Sequence, residues 1–69
     1  MSSRVKELIA IGASVSANCR PCIKYHIGKA REVEIEEKEI QQAVAVGKMV
    51  RQGAASRMDE FLSSMIGDK

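Results

Sequence analysis

Residues 19–26 read Cys19-Arg20-Pro21-Cys22-Ile23-Lys24-Tyr25-His26, and they contain both cysteines and the only histidine of this 69-residue chain. The stretch is typical of a helix start, because proline is favoured at the first helical position, where its missing N–H is not needed. In an α-helix, residues at offsets of three and seven lie within an arc of roughly 60°. We therefore predict that Cys19, Cys22 and His26 share one helix face, which makes that face a reactive site or a metal site.

Three interpretations of this face compete. In the first, the thiols carry out redox chemistry, because a helix N-terminus favours the reactive thiolate and His26 lies one turn beyond Cys22, where it can accept or relay a proton. In the second, the face binds zinc, which prefers thiolate and imidazole ligands; a closed site needs four ligands, so Glu7 would be the fourth. In the third, the thiols and the imidazole are inert parts of the core.

Glu7 is an acidic residue in an otherwise apolar segment. If the residues on either side of Asn18 form an antiparallel hairpin, Glu7 lies about 16 Å from the turn and His26 about 10 Å from it, at 1.5 Å per residue. A glutamate side chain can span that difference and orient the imidazole. The alternative is a solvated surface carboxylate paired with Arg4, and the residues alone favour this alternative.

The spacing of apolar residues predicts helices and no strand. The first helix is expected from Arg4 to about Ala17, and the second from about Arg20 to Val33. Acidic residues in the segment 34–39 suit the first turn of a third helix, which continues to Arg51 in its final turn.

Gly53 is interpreted as the end of that third helix. A short fourth helix is then expected from apolar residues at i, i+3, i+4 and i+7, namely Met58, Phe61, Leu62 and Met65. The predicted fold is all-α, with about four helices in a single domain over residues 1–69.

Length and composition narrow the possible partners. A chain of 69 residues buries only about 60% of its unfolded surface, so we predict a homo-oligomer whose subunits share their apolar helix faces. The net charge of +2 comes without a basic stripe, and no nucleic-acid partner is expected. No run of about 18 apolar residues exists, and Glu7 interrupts the basic start of a signal-like segment, so we expect no membrane partner and a cytoplasmic location.

A longer run around the cysteines resembles the core of the carboxymuconolactone decarboxylase / AhpD-like (alkylhydroperoxidase D-like) family, in its Cys-x-x-Cys branch. The run reads Lys6-Glu7-Leu8-Ile9-Ala10-Ile11-Gly12-Ala13-Ser14-Val15-Ser16-Ala17-Asn18-Cys19-Arg20-Pro21-Cys22-Ile23-Lys24-Tyr25-His26. The family signature is a Glu twelve residues before a Cys-x-x-Cys, with a His four residues after the second Cys. Every one of these spacings is present here, and the resemblance covers roughly residues 5–61.

The resemblance implies an all-helical fold assembled as trimers or hexamers, with alkylhydroperoxidase or disulfide reductase activity. It also implies that one thiol attacks a hydroperoxide or disulfide while the other resolves the product, and that Glu7 with His26 forms a proton relay. In the peroxidase members the residue that attacks the hydroperoxide corresponds to Cys22, and the one that exchanges with an external dithiol or protein reductant corresponds to Cys19; the residues alone leave open which cysteine attacks first. These four residues would be the catalytic ones, with no metal and no cofactor beyond a redox-active Cys19–Cys22 disulfide. The namesake decarboxylases generally lack the Cys pair, so lactone decarboxylation is not expected.

Glu34 departs from the family pattern, because members commonly have a glycine there at the end of the second helix. A left-handed conformation at a helix end strains a residue that has a Cβ. The turn at Glu34 is therefore expected to differ.

Overall fold

The computed structural model describes residues 1–67 and contains three helices, α1 (Ser3–Ser16), α2 (Arg20–Glu32) and α3 (Glu37–Ile66). No strand occurs among these residues, which confirms the predicted all-α class. The sequence also predicts a single domain over residues 1–69. Residues 68 and 69 lie outside the described part of the chain, and the single domain stays a prediction. No helix in the described part of the chain is both long enough and apolar enough to cross a lipid bilayer.

The helix count is three rather than four, because α3 continues through Gly53. Arg51, expected in a final turn, consequently lies in the middle of α3. A glycine inside an exposed helix costs only about 1 kcal/mol relative to alanine. Gln52 on one side and Ala54 and Ala55 on the other are compatible with a helix, so the helix is not interrupted.

Both turns between helices use the same hydrogen-bond pattern. After α1, the amide of Asn18 donates to the carbonyl of Val15 and the amide of Cys19 to that of Ser14, each at 3.0 Å. Asn18 is in the left-handed region, with φ of 56°. This is a Schellman motif, which satisfies the last carbonyls of the helix and reverses the chain.

The turn after α2 repeats the motif with Glu34 as the left-handed residue, at φ of 61°. The amide of Glu34 donates to the carbonyl of Arg31 at 3.0 Å, and that of Ile35 donates to Ala30 at 2.9 Å. The expectation of a different turn at Glu34 was therefore wrong. Ile35 and Ala30 are both buried in the core, and their burial stabilises the motif despite the unfavourable conformation of Glu34.

The core is aliphatic and lies between the three helices. Its fully or nearly buried members are Ile11, Ala30, Ile35 and Ile40, and the partly buried Leu8, Ile27, Ala43 and Val44 pack against them. This core holds α1 and α2 as an antiparallel pair, and α3 packs along α1.

α1 and α3 run in the same direction and approach closely at two glycines. A Cβ built on Gly47 would lie 2.5 Å from the carbonyl oxygen of Gly12 and 2.7 Å from the Cβ of Val15. Side-chain contacts continue this register at both ends, from Arg4 to Glu39 and from Arg51 to Asn18. The glycine at position 47 therefore sets the distance between these two helices.

Beyond Arg51, α3 projects past the turn that joins α1 to α2. We call residues 52–66 the α3 extension; every one of them except Ser63 is exposed. Fifteen helical residues span about 22 Å, which accounts for much of the longest molecular dimension of 50 Å. The extension leaves large apolar side chains in solvent, namely Met58, Phe61, Leu62, Met65 and Ile66.

Candidate functional site

The two cysteines form a disulfide at the start of α2. Cys19 is the N-cap residue, its Sγ lies 3.3 Å from the amide nitrogen of Cys22, and the two Cα atoms are 5.2 Å apart. The amide of Cys19 is itself held by the carbonyl of Ser14 through the Schellman motif of α1. The end of α1 and the first turn of α2 thus fix both sulfur atoms, where the helix N-terminus favours a thiolate on reduction.

His26 lies one turn after Cys22 and contacts Glu7 of α1. Its Nδ1 is 2.7 Å from Oε1 of Glu7, and the side chains of His26 and Glu7 are 29% and 9% exposed. The contact spans the antiparallel hairpin, as the distances from the turn suggested. Because Nδ1 is occupied by the carboxylate, Nε2 is the ring nitrogen left for proton transfer.

Glu7 does not act as a solvated surface carboxylate. It is buried, with 7% of its surface exposed, and the side chain of Arg4 instead bonds to Glu39 of α3. A buried carboxylate is stable only when it is paired or hydrogen-bonded. The imidazole of His26 provides that partner, so the interpretation as an Arg4–Glu7 surface pair was wrong.

Two further contacts at the site were not anticipated from the sequence. The ring of Tyr25 meets that of His26 edge-on, with centroids 5.0 Å apart, and the ammonium of Lys29 lies 5.9 Å from the Tyr25 centroid. On the other side, Nη1 of Arg51 donates to Oδ1 of Asn18 at 3.1 Å, beside Cys19. The adjacency of tyrosine and histidine is visible in the sequence, whereas the contact of Arg51 depends on the register of α3.

The far end of the molecule carries an ion pair between α2 and α3. Nε and Nη2 of Arg31 donate to the two carboxylate oxygens of Glu37 at 2.8 and 3.0 Å. This hydrogen bonding lowers the pKa of the Glu37 carboxyl and raises the pKa of Arg31. Both groups are exposed, and both are distant from the cysteines along the helices. The pair therefore links α2 to α3 across their connecting turn and is not part of the cysteine site.

Within residues 1–67, no group of three or more Cys, His, Asp or Glu side chains is arranged to hold a metal ion. Both sulfur atoms are bonded to each other in this oxidised form. Metal ligation requires deprotonated, reduced thiols. The zinc interpretation therefore applies only to a reduced protein.

Residues 1–59 match the family model of the carboxymuconolactone decarboxylase family. The chain belongs to that family. No curated protein and no solved structure matches it. The matched range contains Glu7, Cys19, Cys22 and His26, and it confirms the resemblance that those four residues indicated.

Membership in the carboxymuconolactone decarboxylase family is compatible with redox chemistry at the Cys pair. The observed geometry brings the four residues into two contacts: the disulfide joins Cys19 to Cys22, and a hydrogen bond joins Glu7 to His26. His26 follows Cys22 by four residues, one turn later on the same helix.

Proposed function

We propose that this protein is a thiol-disulfide oxidoreductase of the alkylhydroperoxidase type, which reduces a hydroperoxide or a disulfide. The observation that carries the proposal is the pairing of a Cys19–Cys22 disulfide with His26 one turn away, its Nδ1 bonded to the buried Glu7. A base oriented by a third group beside a nucleophile is the usual arrangement of an activated thiol.

In the proposed reaction, the thiolate of Cys22 attacks one oxygen of the hydroperoxide. An S–O bond forms, the O–O bond breaks, and the departing alkoxide takes a proton and leaves as an alcohol. The thiolate of Cys19 then attacks the sulfenic acid of Cys22, so that the S–S bond forms and the S–O bond breaks; the departing hydroxide takes up the proton that Cys19 gave up and leaves as water. The substrate gains two electrons and the cysteine pair loses them.

The proton steps are assigned to Glu7 and His26. Removal of the Cys22 proton by Nε2 of His26 generates the thiolate, and the resulting imidazolium returns the proton to the leaving oxygen. Glu7, held 2.7 Å from Nδ1, orients the ring and stabilises its charged form. Tyr25 packs edge-on against the imidazole and limits its rotation.

Regeneration of the thiols requires a reductant. The proposal assigns this role to an external dithiol or a protein dithiol that attacks Cys19, with no cofactor other than the disulfide itself. A disulfide that must be reduced in each cycle is suited to a reducing compartment, and we accordingly propose a cytoplasmic location.

Intact-mass spectrometry of the reduced protein, before and after one equivalent of an organic hydroperoxide, tests the proposal. We expect a rapid loss of two hydrogen atoms that a dithiol reverses. In Cys19→Ser the reaction should stop with one oxygen added to Cys22, and in Cys22→Ser it should not start. A Cys22→Ser variant that consumes peroxide at the full rate would contradict the assignment.

The same measurement separates the proposal from a non-enzymatic role. A freshly purified protein that retains bound zinc in the native ion, with thiols that ignore peroxide, would make Cys19, Cys22 and His26 a structural metal site. A metal-free protein whose thiols neither react nor bind zinc would make them packing residues.

We also propose that the chain acts as a homo-oligomer, as a trimer or hexamer. A groove of about 500 Å³ between α1 and α3 has apolar side chains such as Ile9, Val46 and Val50 on its walls. Val50 and Phe61 are eleven residues apart and lie within about 20° of each other around a helix. The apolar wall of the groove therefore continues along the α3 extension, which gives a second copy one long surface to cover.

A further inference from the structure

Positive charge is concentrated near the disulfide. Arg20 and Lys24 flank Cys22 in the sequence, Arg51 contacts Asn18 beside Cys19, and no acidic residue occurs in the segments 8–31 and 40–58. The segment 32–39, by contrast, holds five glutamates and forms the turn at the opposite end of α2. At that opposite end the glutamates pair with Arg4, Lys29 and Arg31, so the unpaired positive charge of the α1–α2 hairpin lies at the end that carries the disulfide.

Arg51 of α3 is the basic residue that contacts the segment next to Cys19. Its guanidinium donates to the side-chain oxygen of Asn18 at 3.1 Å, and Asn18 directly precedes Cys19. The left-handed conformation of Asn18 and the Schellman hydrogen bonds fix this residue. An amide oxygen accepts the hydrogen bond without neutralising the guanidinium, so the positive charge stays available to a ligand at the disulfide.

Arg20 and Lys24 add charge on α2, two residues before and two residues after Cys22. Both are exposed. Among residues 1–67, neither they nor Arg51 has a carboxylate within ion-pair distance, whereas Arg4, Lys29, Arg31 and Arg57 each have one. Glu7, the acidic residue of the site, is buried against His26. Arg20, Lys24 and Arg51, which are close to the cysteines in the sequence or through Asn18, therefore have no ion-pair partner in the described part of the chain.

We propose that the partner that exchanges electrons with the Cys19–Cys22 pair is an anionic disulfide or thiol, with carboxylate groups close to its sulfur atoms. This inference rests on the proposed function and specifies its substrate class. Uncompensated cations at a reaction site raise the local concentration of anions and accelerate their encounter. They also offset the repulsion between a carboxylate-bearing disulfide and the attacking thiolate.

The exchange with such a disulfide, RSSR, proceeds in two steps. The thiolate of Cys19 attacks one sulfur, so that a Cys19–SR bond forms, the S–S bond of the substrate breaks and one RS⁻ leaves. The thiolate of Cys22 then attacks Sγ of Cys19, forms the protein disulfide and releases the second RS⁻. Two electrons pass from the protein to the substrate, and the two cysteine protons are taken up by the two RS⁻ products.

Three small disulfides of similar size and different charge test the proposal. They are 3,3′-dithiodipropionate, which is a dianion, bis(2-hydroxyethyl) disulfide, which is neutral, and cystamine, which is a dication. Stopped-flow measurements on the reduced protein at low ionic strength give a rate constant for each. The readout is the ratio of the dianion rate to the neutral rate, compared between variants, because the intrinsic reactivity of each disulfide then cancels.

We expect this ratio to fall about tenfold in the double variant Arg20→Gln/Lys24→Gln and to fall with added salt in the wild type. The cystamine-to-neutral ratio should rise in the same variant. Lys38→Gln, near the start of α3 at the end of the molecule opposite the disulfide, is the matched control and should leave both ratios unchanged. If the double variant loses its helical circular dichroism, Arg51→Gln provides a second test, because it removes the positive charge that α3 contributes beside Cys19.

The outcomes distinguish this inference from the function on which it rests. Ratios that are the same in wild type, the double variant and Arg51→Gln, and that do not respond to salt, would overturn the anionic partner. Rapid oxidation by the neutral disulfide would at the same time leave the oxidoreductase proposal standing. A reduced protein that reacts with none of the three disulfides would count against the oxidoreductase proposal itself.

Discussion

Two glutamates lie in energetically unfavourable positions: Glu7 is a buried carboxylate, and Glu34 has a left-handed backbone. Only the first has an interaction that offsets its cost. Glu7 is buried but accepts a hydrogen bond from His26. Glu34 is exposed in a left-handed conformation, and its side chain has no hydrogen bond or ion pair among the described contacts. The strain at Glu34 is therefore a property of the fold that a substitution can remove, whereas the burial of Glu7 belongs to the proposed proton relay.

Glu7→Gln should slow the oxidation of the cysteine pair by hydroperoxide about 10- to 100-fold, the usual loss when a group that orients a functional histidine is changed. Glutamine keeps the size of the side chain and a hydrogen-bonding group, so helical content should be unchanged. The measurement is the rate of disulfide formation by intact mass. Glu32→Gln, an exposed acid on α2, serves as control, and an undiminished rate in Glu7→Gln would remove Glu7 from the relay.

Glu34→Gly should stabilise the protein by about 0.5–1 kcal/mol. A left-handed conformation costs a residue with a Cβ roughly 1–2 kcal/mol, and the greater freedom of glycine in the unfolded chain returns part of that gain. Urea unfolding followed by circular dichroism measures the change.

The matched control for that variant is Glu36→Gly, two residues further along, where φ is an ordinary −64°. Glycine relieves no strain there and is itself tolerated well at the N-cap of α3, so this variant should change the stability little. Equal effects of the two glycines would show that Glu34 is not strained.

At the scale of the helices, Gly47 and Gly53 have opposite surroundings within α3. A Cβ on Gly47 would clash with the backbone of Gly12 and with Val15, whereas nothing lies within 4 Å of a Cβ on Gly53. One glycine permits the close approach of α1 and α3, and the other lies in the exposed α3 extension.

Gly47→Ala should destabilise the protein by about 1–3 kcal/mol, the usual range for overpacking, because the backbone of α1 must move to admit the methyl group. Gly53→Ala should stabilise it by up to about 1 kcal/mol through helix propensity alone. Thermal and urea unfolding of the two variants compare the same substitution in the same helix. Two changes of the same sign would contradict the described packing of α1 on α3.

The sequence predicted the helix positions up to Val33 well, because apolar spacing and turn residues point the same way there. It failed at Gly53, because a glycine that ends a helix and one inside an exposed helix have the same local signal. Within the site, counting residues back from the turn at Asn18 showed that Glu7 could reach His26, but the residues alone favoured a surface carboxylate, and only the family resemblance placed Glu7 in the site. The contact of Arg51 with Asn18 could not be predicted, because it depends on how far α3 slides along α1.

At the scale of the whole molecule, the shape is elongated, 50 by 20 by 20 Å, because the α3 extension leaves the three-helix core. Small chains bury little surface on their own and gain stability from partner subunits. In the proposed homo-oligomer, the apolar side chains along the extension and the adjoining groove would be the surface that a second copy buries.

Phe61→Glu should shift the protein towards the monomer, because it places a charge in the middle of the apolar stripe of the extension. Native mass spectrometry and analytical ultracentrifugation measure the change, and circular dichroism reports whether the monomer stays helical. Ser56→Glu, which lies about 140° from Phe61 around the helix, is the control and should leave the assembly intact. A wild-type protein that is already monomeric at high concentration would rule out self-association.

The disulfide described above encloses only two residues, Arg20 and Pro21. The entropy that a crosslink removes from the unfolded chain increases with the length of the loop it closes, so this bond constrains the denatured state less than a crosslink over a long loop would. The three helices are instead held by the aliphatic core and by the two Schellman turns, none of which depends on the oxidation state of sulfur. In the proposed cycle the bond can therefore open and close as an electron store, while the core and the turns hold the three helices in both states.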